Sequence, residues 1–476
     1  VRDLCASAVE AALAAGASYA DARALVRRNQ TVATKNGHVE AVRDVESEGI
    51  GVRVLVGGAW GFASDRRLTP AGAVETARRA AAFARAAPGS HERRLAEIPP
   101  AKGTYRTPLE RDPLAVPLDE KVEHCLRAEA ALAHPDVRVA QAFVRAQREH
   151  KVLVSSDGAD VAQELVECGA GIDALASANG SSQIRSYPSA HSGWSAQAGW
   201  EYVEALGLER EAPRVAEQAA ALLRADPCPA GRTTVVLDAE QVHLQLHESV
   251  GHPIELDRVY GTEAAYAGTS FLSPSDLGSL RYGSEHMNVT ADSTLAGGLG
   301  TFAFDDEGVP AGRQPIVEEG VLRGFLTSRE TAARLGVGVG GSMRADSWSR
   351  MPLVRMTNLS LEPGAGTLED LIAVDDGIYM ETNKSWSIDD KRLNFQFGTQ
   401  IAWEIKRGRL GRMLRDATYT GITPQFWGSM DAVAGPEAWV VSGLTNCGKG
   451  QPGQTAHVSH GASPARFRDV QVGVRA

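Results

Sequence analysis

The sequence predicts an α+β fold: an α/β N-terminal domain followed by a β-rich C-terminal domain that carries a candidate metal-binding helix. Three observations predict it. Helical-period and strand-period segments alternate through the first half of the chain. Beyond Asp226-Pro227-Cys228-Pro229 the runs become short and alternating, with many Gly turns and few helical stretches. Between the two, a buried-strand run (Thr233 to Leu237) passes directly into an amphipathic helix from about Ala239 to Gly251. The Pro pair is the predicted boundary, giving domains 1–226 and 230–476.

In order along the chain, Asp3 to Ala15 reads as a helix, with Leu4, Ala8, Val9 and Ala12 on one face and Gly16 as its stop. Tyr19 to Asn29 is extended. Asn36-Gly37 turns a hairpin between Thr31 to Lys35 and His38 to Arg43. Glu48 to Val56 is a strand, turned at Gly57-Gly58 into Ala59 to Ser64. Thr69-Pro70 is a helix start, an N-cap followed by proline at the first helical position. Residues 87–117 read as a long Pro-rich connection, and Leu118 to Ala133 as a helix. Val137 to Arg148, Lys151 to Ser155 and Val161 to Leu175 are strands, with Asp157-Gly158 as a turn. Gly180 to Gly199, rich in Ser and Gly, is predicted to be a loop, and Arg210 to Ala225 a helix. In the second half, Ile316 to Leu326 reads as a hairpin, Ser328 to Leu335 and Leu368 to Ala373 as short helices, and Leu393 to Lys406 as an antiparallel strand.

A chain of 476 residues holds two or three domains with a sizeable core. Its 49 basic and 59 acidic residues leave a net charge of −10, which argues against nucleic acid or an anionic membrane as the main partner. Five widely spaced cysteines are not a disulfide framework, so a reducing cytoplasm is expected. The N-terminal segment does not read as a signal peptide, because Asp3 and Glu10 interrupt it, and no apolar run approaches a membrane span.

The chemistry-bearing stretch is His247-Glu248-Ser249-Val250-Gly251-His252-Pro253. Two neutral imidazoles are good zinc ligands, and a neighbouring carboxylate can take a proton from the metal's water. The His-to-His spacing is one residue longer than in the usual His-Glu-x-x-His helix. On a regular α-helix such residues point about 140° apart, so something must bring the rings together. A π-bulge would do so. A helix end at Gly251, with Pro253 pushing His252 out of the α region, would do so too, and is the preferred reading because both residues it needs are present.

A third ligand must come from elsewhere. His243, Glu255, Asp257, His457 and His460 are candidates, while His286 reads as structural. Cys447 stands in Asn446-Cys447-Gly448-Lys449-Gly450, a Gly-rich loop that is not core company, and is favoured on that account. Ser249 has no nucleophile elbow around it, and neither Gly57-Gly58 nor Gly336 to Gly341 is followed by the Lys-Ser/Thr of a phosphate loop.

These motifs, in this order, resemble the TldD/PmbA (modulator of DNA gyrase) metalloproteases over nearly the whole chain. The resemblance runs through Gly16 to Arg23, Asn36-Gly37, Gly49 to Leu55, Trp60 to Ala63, His247 to His252, Asp305 to Pro310, Arg355-Met356-Thr357-Asn358, Gly377-Ile378-Tyr379 and Cys447-Gly448-Lys449. It implies Zn2+ bound by His247, His252 and Cys447, with Glu248 as general base, and a protease of flexible or unfolded peptides. It also implies a dimer enclosing the site, formed with a paralogous TldE/PmbA-type subunit that lacks the motif or with a second copy. The chain resembles the catalytic member of such a pair. Arg355 and Asn358 are candidates to orient the substrate. A zinc amidase acting on a small-molecule conjugate, or a non-catalytic regulatory subunit, are the alternative functions.

Overall fold

The computed structural model describes residues 1–87, 93–190, 193–265 and 268–473. Part of the connection expected at 87–117, namely residues 88–92, lies outside them, as do residues 191 and 192 of the expected loop. The N-terminal half contains α1 (Arg2–Ala14), β1 (Tyr19–Lys35), β2 (His38–Val56), β3 (Ala59–Asp65), α2 (Pro70–Ala86), β4 (Lys102–Arg106), α3 (Leu118–Ala130), β5 (Val137–Ser155), β6 (Asp160–Ala178), β7 (Ser181–Tyr187), β8 (Trp194–Ala196), α4 (Trp200–Ala205) and α5 (Leu208–Leu222). The second half opens with β9 (Asp226–Pro227), β10 (Gly231–Leu237), α6 (Ala239–Leu246) and α7 (Leu256–Val259). It continues with β11 (Val289–Asp292), β12 (Arg313–Glu318), β13 (Val321–Leu322), α8 (Arg329–Leu335), β14 (Met343–Arg344), β15 (Leu353–Val354), β16 (Asn358–Leu361) and α9 (Leu368–Ile372). It ends with β17 (Asp376–Ile388), β18 (Asn394–Lys406), β19 (Arg409–Arg415), β20 (Thr418–Ile422), α10 (Thr423–Gly428), β21 (Met430–Val433), β22 (Val440–Lys449), β23 (Gln454–Ala462) and β24 (Ala465–Val472). The fold is α+β with a β-rich C-terminal part. Among the described residues no helix is long and apolar enough to cross a membrane.

The long strands β1, β2, β5 and β6 pair antiparallel and merge segments that the sequence presents as separate runs. Their sheet continues into the second half through β8, β22, β23, β16, β11, β12 and β13, so both halves of the chain share one sheet. A second sheet runs β17-β10-β24-β20-β18, and β17 also pairs with β18, which closes those five strands into a ring. Phe395, Phe397, Tyr419, Phe426 and Phe467 pack in its core with ring centroids 4.2–6.0 Å apart. Helix α6 packs against strands of both sheets, β17 of the ring and β16 and β23 of the large sheet.

Two expectations are corrected. Gly180 to Gly199 is not simply a loop, since it holds β7 and β8. The face of β7 is polar because it meets polar groups of the second half: Gln400 Oε1 accepts from Ser186 N at 2.8 Å and from Arg185 Nη1 at 3.2 Å. The 87–117 connection contains β4, which pairs parallel with β6.

A charged seam joins the N-terminal strands to the turn Asp305-Asp306-Glu307-Gly308. Buried Arg53 meets Asp21 at 2.6 Å and Glu307 at 3.0 Å. Asp306 meets Lys151 at 2.8 Å and Arg23 at 3.5 Å. The turn itself is tied by Asp305, whose Oδ1 accepts from the backbone N–H of Glu307 and of Val309. Gly308 takes the left-handed conformation that the turn requires, with φ +79°.

Candidate metal centre

The site is built on the strand-to-helix passage that the sequence predicts. Asp238 follows β10 and caps α6, its Oδ1 accepting from Gln241 N at 2.7 Å. The helix then widens into a π-helical turn over His247–Gly251, closed by His252 N donating to His247 O at 3.2 Å. That i to i+5 bond places the two imidazoles together, with ring centroids 4.8 Å apart and planes at 86°. The expectation of a helix end at Gly251 is therefore corrected: His252 keeps helical angles (φ −68°, ψ −41°) despite the proline after it. Gly251 serves close approach instead of a left-handed turn, because a Cβ there would lie 2.1 Å from Met356 Sδ.

Hydrogen bonds assign the ring protons. His460 Nδ1 donates to the Leu359 carbonyl at 3.1 Å, so its Nε2 accepts, and His247 Nδ1–H donates to it at 2.8 Å. His247 Nε2 is then a free lone pair. His252 Nδ1–H donates to Glu255 Oε2 at 3.1 Å, which leaves its Nε2 free as well. Burial pulls the His247 pKa down to about 4 and lowers that of His252, so both rings are neutral at pH 7. Glu255 is fully enclosed. Burial would push its carboxyl up, but Lys449 and His252 outweigh that and hold it well below the usual carboxylate range.

Cys447 arrives on β22, its Sγ 3.8 Å from His252 Nε2. Burial raises a thiol pKa, yet the Arg355 guanidinium, 3.2 Å from Sγ, and the His252 ring bring this one below its ordinary value. One ligand atom each from His247, His252 and Cys447 lie within 4.8 Å of one another. A tetrahedral centre with ordinary zinc bond lengths separates nitrogen and sulfur ligands by about 3.6 Å, so two lone-pair imidazoles and a favoured thiolate fit such an ion. Glu248 lies beside them, its carboxylate bonded to Arg392. All four line a cleft of about 370 Å3 whose other walls include Leu244, Trp386, Ile388, Arg392 and Asn446.

The remaining candidates are placed elsewhere. His243 uses both ring nitrogens structurally, with Ser442 Oγ at 2.7 Å and the Val440 carbonyl at 3.0 Å. Asp257 accepts from Lys449 Nζ at 2.7 and 2.9 Å, and His457 pairs with Glu167 at 2.5 Å. His286 is exposed. Ser249 is buried, donating to the Gln245 carbonyl and accepting from Trp427 Nε1. Arg355 stands behind Cys447, not on the cleft wall. Asn358 is fully enclosed and its amide is occupied: Oδ1 accepts from Gly300 N, and Nδ2 donates to the Asp292 carbonyl and Thr301 Oγ1. Sequence reasoning missed Arg392 altogether, and had His460 and Lys449 without their roles. The run Cys447-Gly448-Lys449 was the available signal for Lys449.

This chain's residues 230–473 match the PmbA/TldA metallopeptidase C-terminal domain, 20–84 match domain 1 of the same metallopeptidases, and 111–225 match their central domain. The chain belongs to the PmbA/TldD metallopeptidase family. A metalloprotease of Archaeoglobus fulgidus is 30% identical over 437 residues, 91% of this chain and 94% of that one. Metalloprotease MJ0996 of Methanocaldococcus jannaschii is 28% identical over 420 residues, 87% of this chain and 89% of its own length. A Saccharolobus solfataricus protein named a zinc metalloprotease TldD homolog is 28% identical over 250 residues, 51% and 52% of the two chains. Among solved structures, TldE from Thermococcus kodakarensis superposes with a TM-score of 0.75 at 14% identity, covering 99% of this chain and 100% of that one. A Thermotoga maritima protein described as a modulator of a DNA gyrase gives 0.76 at 19%, covering 99% of each. At these identities the structural likeness is one of fold.

Proposed function

We propose that this protein is a zinc-dependent peptidase acting on extended, flexible polypeptide, with His247, His252 and Cys447 as metal ligands and Glu248 as general base. The observation that carries the reading is the convergence of two imidazole lone pairs and one cysteine sulfur beside a carboxylate on the wall of a cleft. Two nitrogens and a sulfur suit a borderline-soft ion, and one relative is named a zinc enzyme. Zinc held there supplies Lewis-acid activation of water and of the peptide carbonyl.

This chain's own groups do the rest. Glu248 accepts the proton of the attacking water and passes it to the leaving amine. Arg392 holds the Glu248 carboxylate in place between turnovers. Glu255 and His460 fix the two ligand rings in the tautomers that leave Nε2 free. Strand β22 pairs with β8 only at Gly443↔Ser195, so among the described residues its outer edge beyond Gly443 has no strand partner. A substrate strand adding there gains affinity from backbone hydrogen bonds with limited sequence demand.

A dimer with a TldE/PmbA-type subunit or with a second copy is part of the proposal, supported by the common fold of this chain and a TldE. A reducing cytoplasm is supported by Cys5, Cys125, Cys168, Cys228 and Cys447, all of them free thiols.

The test is paired: zinc content and cleavage of an unstructured protein and of small amides, for wild type, Glu248→Ala and Cys447→Ser. Glu248→Ala is expected to keep the metal and lose about 10²- to 10⁴-fold in turnover, and Cys447→Ser to lose the metal. Unchanged cleavage by Glu248→Ala sinks the mechanism, and full zinc occupancy in Cys447→Ser sinks the ligand set. Cleavage of the small amides alone would replace the peptide substrate.

A further inference from the structure

On the opposite face of β22 from the metal cleft lies a second cleft, of about 310 Å3, lined by Arg27, Asn29, Thr31, Arg145, Gln147 and Thr445 among others. Its charges are not equally matched. Arg27 Nε donates to Glu149 at 3.0 Å and its guanidinium lies 3.6 Å from Asp346. Glu167, also on the wall, is held by His457 at 2.5 Å. Arg145 has no such closure: among the described residues no carboxylate lies within 4.0 Å of it. Its hydrogen bond is the one from Nη1 to Thr445 Oγ1 at 2.9 Å, and its guanidinium lies 4.8 Å from the Phe143 ring centroid. Burial lowers its pKa with no acid beside it to restore the ordinary value. A partly desolvated guanidinium with most of its five donors uncommitted is complementary to a carboxylate, which it can grip with two parallel bonds.

The position relates this cation to the chemistry. Thr445 lies two residues before Cys447, and the irregularity of β22 between Leu444 and Cys447 turns the two toward different clefts. Leu444, Asn446 and Cys447 line the metal cleft, whereas Thr445 lines the second cleft. A chain added to the open edge of β22 presents alternate side chains to opposite faces. One residue therefore meets the metal cleft while its neighbour meets Arg145.

We propose that the second cleft is an anion subsite of the peptide site: it takes a carboxylate close to the bond cleaved, from an Asp or Glu side chain or from the substrate's own C-terminus, with Arg145 as its clamp. The inference rests on the peptidase reading, so binding and cleavage are measured apart. The probes are fluorescein-labelled octapeptides of one sequence. In one set a Glu is moved through the central positions of a C-terminally amidated peptide, with Gln at the others. A second probe carries Gln throughout and a free C-terminal carboxylate. The reference is the all-Gln amide.

Binding to the metal-loaded Glu248→Ala chain is read by fluorescence anisotropy. At one position, or with the free terminus, the carboxylate peptide is expected to bind about 10- to 100-fold more tightly than the reference. Which probe gains identifies the source of the carboxylate. Arg145→Gln in the same background should abolish the preference, Arg145→Lys should retain part of it, and Arg145→Glu should turn it toward a Lys peptide. The Lys and Glu variants keep the proposal testable should the Gln variant fail to fold. Equal binding of every probe, or a preference that survives Arg145→Gln, overturns it. An Arg145-dependent preference in a protein whose wild type cleaves no peptide would leave the anion site standing and bring down the peptidase reading.

Discussion

At the seam between the N-terminal strands and the Asp305–Gly308 turn, buried ions are matched in pairs: Arg53 lies between Asp21 and Glu307, and Asp306 meets Lys151 and Arg23. At the metal centre, His247, His252 and Cys447 are as deeply buried, yet their ligand atoms face one another within 4.8 Å with no cation of the protein between them among the described residues. Both clusters join residues distant in sequence. The seam pairs these ions within the protein, as a structural cluster does. The centre directs every surrounding bond away from one small volume. His460 takes the Nδ1 proton of His247, Glu255 takes that of His252, and Arg355 stabilises the thiolate from behind. Lone pairs left to converge on a cleft wall are what a cation needs, and on the proposed function that difference separates a structural from a chemical use of buried polarity.

The comparison can be broken from either side. The largest effect is expected at the seam. Arg53→Ala leaves Asp21 and Glu307 buried without their cation, at a cost of about 3–5 kcal/mol in denaturant unfolding, with zinc stoichiometry of the folded fraction unchanged. A loss too small to measure would show that the seam is not structural. Next, His460→Ala removes the acceptor that fixes the His247 tautomer. Zinc affinity, measured by chelator competition, is expected to fall about 10- to 100-fold, and an unchanged affinity would break the ring-orientation argument.

The smallest effect is in pH. Burial pushes Asp306 up, but Lys151 and Arg23 outweigh it and hold its pKa at about 2, against an ordinary 3.8. A depressed folded-state pKa contributes stability that is present above the unfolded value and is lost as pH falls through the folded one. About 2 kcal/mol should therefore disappear between pH 4 and pH 2 in wild type and not in Asp306→Asn. Identical acid profiles would remove Asp306 from the seam's account.

Much of the site was legible in the sequence because its chemistry is local. The helix after Thr233–Leu237, the adjacent Glu248 and the Gly-rich company of Cys447 each carry a residue-level reason. The π-helical turn was not decidable, because Gly251 and Pro253 fit a helix end equally well. What chose between them is Met356, from a strand region about a hundred residues away, packed where a Cβ at 251 would be. Arg392 was invisible for a similar reason. It stands in Asp389-Asp390-Lys391-Arg392, a charged turn like many others, and only the fold brings it to Glu248. Strands β7 and β8 were hidden by composition, since alternation of Ser, Gln and Arg does not advertise a buried face until its polar partner on β18 is known.

The central claim is that two imidazoles and one thiolate of this chain hold a single zinc ion. Zinc K-edge X-ray absorption on the purified, zinc-loaded protein measures this most directly. One sulfur at about 2.3 Å and two imidazole nitrogens at about 2.0 Å, with the sulfur shell absent from any zinc retained by Cys447→Ser, is the predicted result. Zinc bound through nitrogen and oxygen alone in the wild type would contradict it.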